Sequence, residues 1–197
     1  MKYPALGMSR REFLTKAGVG SLALASLPAL GNTLATPASV DRPTTFRFVS
    51  NSNAPTIEGV AHRMLMNGTG MVTPLQVVAA GSFVHINNAA ALPTPKPILG
   101  SGTWKAKSLL AFELIGTYGS LAAGEVEMEI HLIRAFPSSA VIPATLRMVC
   151  NLAPAGLFTG EEEGFTLTIP GAPFGPFQPT TPPSGLTIFA TSVEQRD

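Results

Sequence analysis

The chain has 197 residues and a formal net charge of +1, a balance that gives nucleic acid or an anionic membrane no electrostatic footprint to read. Hydrophobic residues make up 45% and charged ones 13%, enough apolar material for one core without metal or disulfide staples. The single cysteine, Cys150, excludes an intrachain disulfide. The 19 glycines and 18 prolines interrupt short apolar runs, which suits strands joined by turns better than a helix bundle.

Ser9–Arg10–Arg11–Glu12–Phe13–Leu14 is followed by an apolar run, Ala17–Leu30, and small residues to Ala38. This resembles a twin-arginine export signal, with Lys16 one place later than the family's usual lysine. The resemblance implies recognition by the twin-arginine export machinery, cleavage after Ala35 or Ala38, and a periplasmic or extracellular product. The apolar run is about fourteen residues long and holds Pro28, short of the roughly twenty a spanning helix needs, so no stable membrane span is expected after processing. Residues 1–38 are therefore read as a signal peptide and 39–197 as one domain. Lys2, Arg10, Arg11 and Lys16 leave with the signal against Glu12 alone, so the product is mildly acidic.

Beyond the signal the dominant period is two. Thr44–Ser50 aligns Phe46 with Phe48, and Gly59–Asn67 aligns Val60, His62, Met64 and Met66. Gly68–Thr69–Gly70 reads as the next turn, and Leu75–Asn87 as a strand kinked or bulged at Gly81. Pro93, Pro95 and Pro97 mark an irregular crossover. The centre of the chain is a hairpin. Thr103–Ile115 puts Trp104, Ala106, Leu110, Phe112 and Leu114 on one face, and Gly124–Leu132 puts Val126, Met128, Ile130 and Leu132 opposite Glu125, Glu127, Glu129 and His131. A turn near Thr117–Gly119 would set Lys105 and Lys107 beside Glu127 and Glu129. Ala144–Leu152 alternates Leu146, Met148, Cys150 and Leu152 against Arg147 and its neighbours. Phe165–Ile169 follows an acidic turn. Pro170–Ser184 is a proline-rich loop, and Gly185–Thr191 closes the series with Leu186 and Ile188, or Thr187 and Phe189, inward. The result is an all-β domain, an antiparallel barrel or sandwich of about eight strands.

The candidate chemistry is sparse. The processed chain has aspartate only at Asp41 and Asp197 and no Gly-x-Ser-x-Gly elbow, which sets aside a Ser–His–Asp hydrolase. Gly100–Ser101–Gly102 lacks the third glycine and helix start of a phosphate cradle. His62, His85 and His131 are the residues a transition metal would want, but none has a second ligand at short spacing, and no metal is expected. Phe83–Val84–His85–Ile86–Asn87 resembles the His-x-His strand of cupins with Asn87 in the second ligand's place. Glu113, Tyr118, Glu129 and His131 are the acid–base candidates if their face lines a cavity. Gly102–Thr103–Trp104 resembles the Gly-x-Trp of lipocalins, barrels that hold small apolar ligands, although that family carries it on the first strand. Met64, Met66, Phe83, Trp104, Phe112 and Met128 would line such a cavity or fill a core. Cys150, on an inward set, reads as an inert thiol.

These residues point to an exported β-domain that works by binding: a small apolar ligand inside, or a protein partner through Phe174 and Phe177 of the proline-rich loop. The competing readings are a calycin-like barrel enzyme of cyclase or isomerase type and a structural envelope protein. No residue pattern specifies a cofactor.

Overall fold

A computed structural model describes residues 43–89, 96–153, 156, 160–180 and 185–191; the export segment expected at 1–38 lies outside them. The strands are β1 (Thr44–Asn53), β2 (His62–Thr73), β3 (Gln76–Asn87), β4 (Ile98–Tyr118), β5 (Leu121–Phe136), β6 (Ala140–Cys150), β7 (Gly164–Thr168), β8 (Gln178–Pro179) and β9 (Gly185–Thr191). Among the described residues no helix is long and apolar enough to cross a membrane.

The strands form one nine-stranded sheet in the order β4-β3-β2-β1-β9-β5-β6-β7, with β8 on β1. Every pairing is antiparallel. A further β4–β5 ladder joins the two parts of this path, so β1, β2, β3, β4, β5 and β9 make a closed circuit. The β6–β7 arm that leaves β5 is tied back to β1 at the other end. Leu167 bridges to Phe177, Gln178 pairs with Asn53, and the Ser52 hydroxyl donates to the Phe165 carbonyl at 2.6 Å. Closure of this kind satisfies edge strands that would otherwise present unpaired backbone to other chains.

The period of two decides what lies inside. β5 buries Val126, Met128, Ile130 and Leu132 while its glutamates face outward, and β1 buries Phe46 and Phe48 between exposed neighbours. The interior is filled by Trp104, Phe46, Phe48, Phe165, Phe177 and Phe189 with methionines and branched aliphatics between them. The rings meet edge-on or tilted, Phe48 against Trp104 at 5.9 Å and Phe46 against Phe189 at 6.2 Å, the geometry that ring quadrupoles favour. On β9 it is Thr187 and Phe189 that turn inward.

Three sequence expectations are corrected. Gly68 and Gly70 do not turn the chain; β2 runs on through them to Thr73, and the turn is Pro74–Leu75. Gly68 pairs with Phe48 and Gly70 with Phe46. A Cβ on Gly68 would fall 2.2 Å from Trp104 Cζ2, and one on Gly70 2.6 Å from Phe46 Cζ. The glycines are clearings for aromatic rings. Gly81 likewise carries no bulge, since the β2–β3 register is continuous through Gly68↔Gly81.

The third correction concerns the central hairpin. The β4–β5 register shifts between Ala106 and Ser108, between Leu109 and Ala111, and between Leu114 and Gly116, and each extra residue exchanges the two faces of β4. Leu109 therefore packs on the core, while Leu110, expected inward, is 51% exposed. The same shifts undo the expected lysine–glutamate pairing: Lys105 pairs with His131, Glu127 with Ala111, and Glu129 with Ser108. Beyond Lys105 the β4 ladder is with β5 alone, and bulges there roughen an edge that a regular strand would leave open to augmentation.

Candidate functional site

The corrected β2–β3 turn brings a site into view. With the turn at Pro74–Leu75, Met64 pairs with His85 and His62 with Asn87, so His62 and His85 are diagonal neighbours on one face of the β2–β3 hairpin. His62 Nδ1 lies 2.9 Å from His85 Nε2, one ring donating to the other. Asn87 fixes the strand end, its Oδ1 accepting from the amides of Ala61 and Ala89.

The proline-rich loop folds over this pair. Phe174 stacks on His62 with centroids 4.5 Å apart and meets His85 at 5.5 Å. Phe177, fully buried, meets His85 edge-on at 5.4 Å. The two phenylalanines expected to reach a partner thus point into the protein and close one end of the core. Desolvation, with a smaller contribution from neighbouring His62, lowers the pKa of His85 to about 4, and burial lowers that of His62. Both rings are neutral at physiological pH.

His131 does not join them. It alternates with Ile130 and Leu132, so it faces outward from β5, opposite Lys105 on one side and Pro143 on the other. There it borders a 190 Å³ depression with Lys107, Glu129 and Thr145. Among the described residues no group of three His, Cys, Asp or Glu side chains could hold a metal ion. Of the acid–base candidates, Glu129 and His131 share this depression, whereas Glu113 and Tyr118 lie toward the tip of the hairpin. Tyr118 pairs at its tip with Leu121, Glu113 is exposed opposite Glu125, and Glu129 accepts from the Ser108 hydroxyl at 2.5 Å. Tyr118 and His131 lie about ten strand residues apart, roughly 30 Å, too far to act on one substrate. The remaining charge on this face is organised by Arg147, which bridges Glu125 and Glu161.

Of the residues expected to line a ligand cavity, Met64, Met66, Phe83, Trp104 and Met128 are buried within the core, and Phe112 packs on it from the side. Cys150 is buried as well, with its sulfur 3.1 Å from the Thr187 carbonyl and 3.4 Å from that of Ala122. Burial pushes its thiol up, opposed by backbone hydrogen bonding from Phe189 and Leu152, and the charge of Glu163 adds to the rise. Cys150 should therefore stay unlabelled by an aromatic disulfide reagent at about pH 8 in the folded protein and react stoichiometrically once urea unfolds it. Rapid labelling of the native protein would reopen the case for a nucleophile.

A second feature lies outside the ring. β1, β2, β3 and β9 contain no aspartate or glutamate, and the charged side chains facing outward from them are Arg47 and Arg63. On the same outward side stand Val49, Leu65, Met71, Val78, Leu186 and Ile188, all substantially exposed. Ladder pairing places them side by side, Val49 against Leu186, Met71 against Val78, and Arg47 against Ile188. Val49, Asn51, Leu65, Asn67, Ser82 and Val84 border a depression of about 350 Å³ on this face.

The architecture is thus an all-β antiparallel sheet closed on an aromatic- and methionine-rich core, with an imidazole–aromatic cluster at one end and an outer face without carboxylates. No protein-family model, no curated protein and no solved structure matches the chain.

Proposed function

We propose that this is an exported binding protein that engages a protein partner through the outer face of β9, β1, β2 and β3. The observation that carries the reading is that face itself: six exposed large apolar side chains on four adjacent strands, with no carboxylate among them. Singly exposed apolar residues are ordinary, but contiguous ones on a sheet face mark interaction surfaces. The aromatic- and methionine-packed core weighs against an apolar ligand inside the ring, and the distance of Glu113 and Tyr118 from Glu129 and His131 weighs against the cyclase or isomerase alternative.

The partner is a different protein, with an apolar surface edged by carboxylates. A second copy docked face to face would bring further arginines to the interface and no carboxylate from these strands to balance them, which opposes self-association. The twin-arginine resemblance supports an exported location for the encounter.

A photoreactive phenylalanine analogue at Val49 or Leu65, in protein made in its native host, tests this. The expected result is one dominant heterologous adduct, reduced at least about tenfold by Arg47→Glu and absent when the analogue replaces Glu127 on the opposite face. Adducts only between copies of this chain, or equal yields from Glu127, would overturn the proposal.

A further inference from the structure

We propose that His62, His85 and Met64 form a binding site for a soft monovalent cation, Cu(I), roofed by Phe174 and Phe177. The site is separate from the outer docking face, and either can fail without the other.

The geometry of the pair is the first argument. Two ring nitrogens 2.9 Å apart already converge on one point between them. Two imidazole nitrogens sharing a trigonal ion at roughly 2.0–2.1 Å stand about 3.5 Å apart, so replacing the shared proton by a metal asks the rings to part by about 0.6 Å.

The third donor follows from the ladder. Met64 is the direct cross-strand partner of His85 and lies two residues from His62 on the same inward side of β2. Directly opposed side chains have Cβ atoms about 4.5–5.5 Å apart, and methionine's unbranched chain lets its sulfur swing toward the nitrogens. Met64 is buried on the core side of β2, so its thioether is shielded from water and free of solvent competition for the ion.

The chemistry of the donor set selects the ion. β2, β3 and residues 170–180 contain no Asp or Glu, so calcium and magnesium would lack the oxygen ligands they require. Two neutral nitrogens and a thioether suit a soft ion of low charge, and thioether sulfur favours Cu(I) over Zn(II). The aromatic roof fits the same choice. Phe174 and Phe177, 5.3 Å apart, cover the imidazole pair with ring faces and edges, which would hold water and anions off a three-coordinate ion.

The test uses the purified full chain, titrated anaerobically with Cu(I) buffered by a chromogenic chelator. One equivalent should be withdrawn from the chelator, and X-ray absorption should report two nitrogen scatterers and one sulfur. Met64→Leu, which conserves volume, should weaken Cu(I) at least about tenfold and leave Zn(II) unchanged. His62→Ala with His85→Ala should abolish competition with the chelator. Because the histidine variants also remove core contacts, a readout on the unaltered protein accompanies them: adding Ag(I) should shift the side-chain nitrogen resonances of His62 and His85 and leave those of His131 in place. Failure to compete for one equivalent, a sulfur-free coordination shell, or resonance shifts at His131 instead would overturn the site.

Discussion

Gly81→Ala should cost a large share of the protein's stability. A Cβ at this position would lie 1.9 Å from the Asn67 carbonyl oxygen, 2.6 Å from Trp104 Nε1 and 2.7 Å from Gly68 Cα. Two of these three atoms are backbone of the paired strand and cannot yield without opening the β2–β3 ladder. The third belongs to the largest buried side chain, whose indole N–H donates to that same Asn67 carbonyl at 2.9 Å. The added methyl therefore separates strands, displaces Trp104 and strands a buried donor in one stroke. Overpacking costs about 1–3 kcal/mol and occasionally more, and loss of tryptophan packing about 3–5 kcal/mol. The expected loss is at least about 4 kcal/mol against a total of about 5–15 kcal/mol, seen as a fall in melting temperature of roughly 10 °C or more. Gly119→Ala is the control: its φ of +63° favours glycine, but nothing lies within 4 Å of an added Cβ, and about 1 kcal/mol is expected there. A Gly81→Ala variant as stable as Gly119→Ala would mean that Trp104 does not rest on the Gly68–Gly81 clearing.

The glycines also show where the sequence was legible and where it was not. Alternation along β5 and β1 identified both faces of each strand, because burial acts on every second residue and leaves a period in the residue order itself. Gly68, Gly70 and Gly81 misled for a physical reason: a glycine that frees a turn and one that admits a ring are the same letter, and which it is depends on Phe46, Phe48 and Trp104 arriving from other strands. Placing the turn at Gly68–Gly70 instead of Pro74–Leu75 had a further cost, since only the longer hairpin makes His85 a diagonal neighbour of His62. The signal was present in the pattern, as His62 shares a period with Met64 and Met66, and His85 with Phe83.

The bulges of β4 were less accessible. Nothing in Lys107, Leu110 or Ile115 announces an extra residue, and the exchange of Leu110 for Leu109 depends on how β4 curves to meet both β3 and β5. The proline-rich loop was recognised as a loop but not as a roof. Phe174 and Phe177 have no period, and their inward course is fixed by the bridge from Phe177 to Leu167 and by stacking on two histidines from distant strands. The acid-free composition of β1, β2, β3 and β9, by contrast, stands in the sequence itself and needed only the strand order to become a continuous face.

Acidification should weaken the fold through the same imidazole pair. In metal-free protein His85 is neutral, its pKa lowered from 6.5 to about 4 by burial and by His62, so the unfolded chain binds more protons than the native one between those limits. Stability is therefore fully present above pH 6.5 and is lost as pH falls toward 4. His62 acts in the same direction. No neighbouring group offsets the new charge: β2 contributes His62 and Arg63, β3 contributes His85 alone, residues 170–180 carry no titratable side chain, and Lys96 by Asn88 is itself a cation. The nearest acid in sequence is Glu58, in the turn before β2. The full shift corresponds to about 3 kcal/mol, reduced to about 2 kcal/mol because the rings keep a solvent-facing edge. Scanning calorimetry with a chelator present should show melting temperature falling by about 6 °C, most of it before the carboxylates begin to protonate near pH 5. His85→Gln should flatten the slope whatever its effect on absolute stability, because a glutamine has no proton to take up. A melting temperature constant from pH 7 to pH 5, or an undiminished slope in His85→Gln, would mean that protonated imidazole is tolerated beneath Phe174 and that the contacts closing this end of the core are looser than their distances imply.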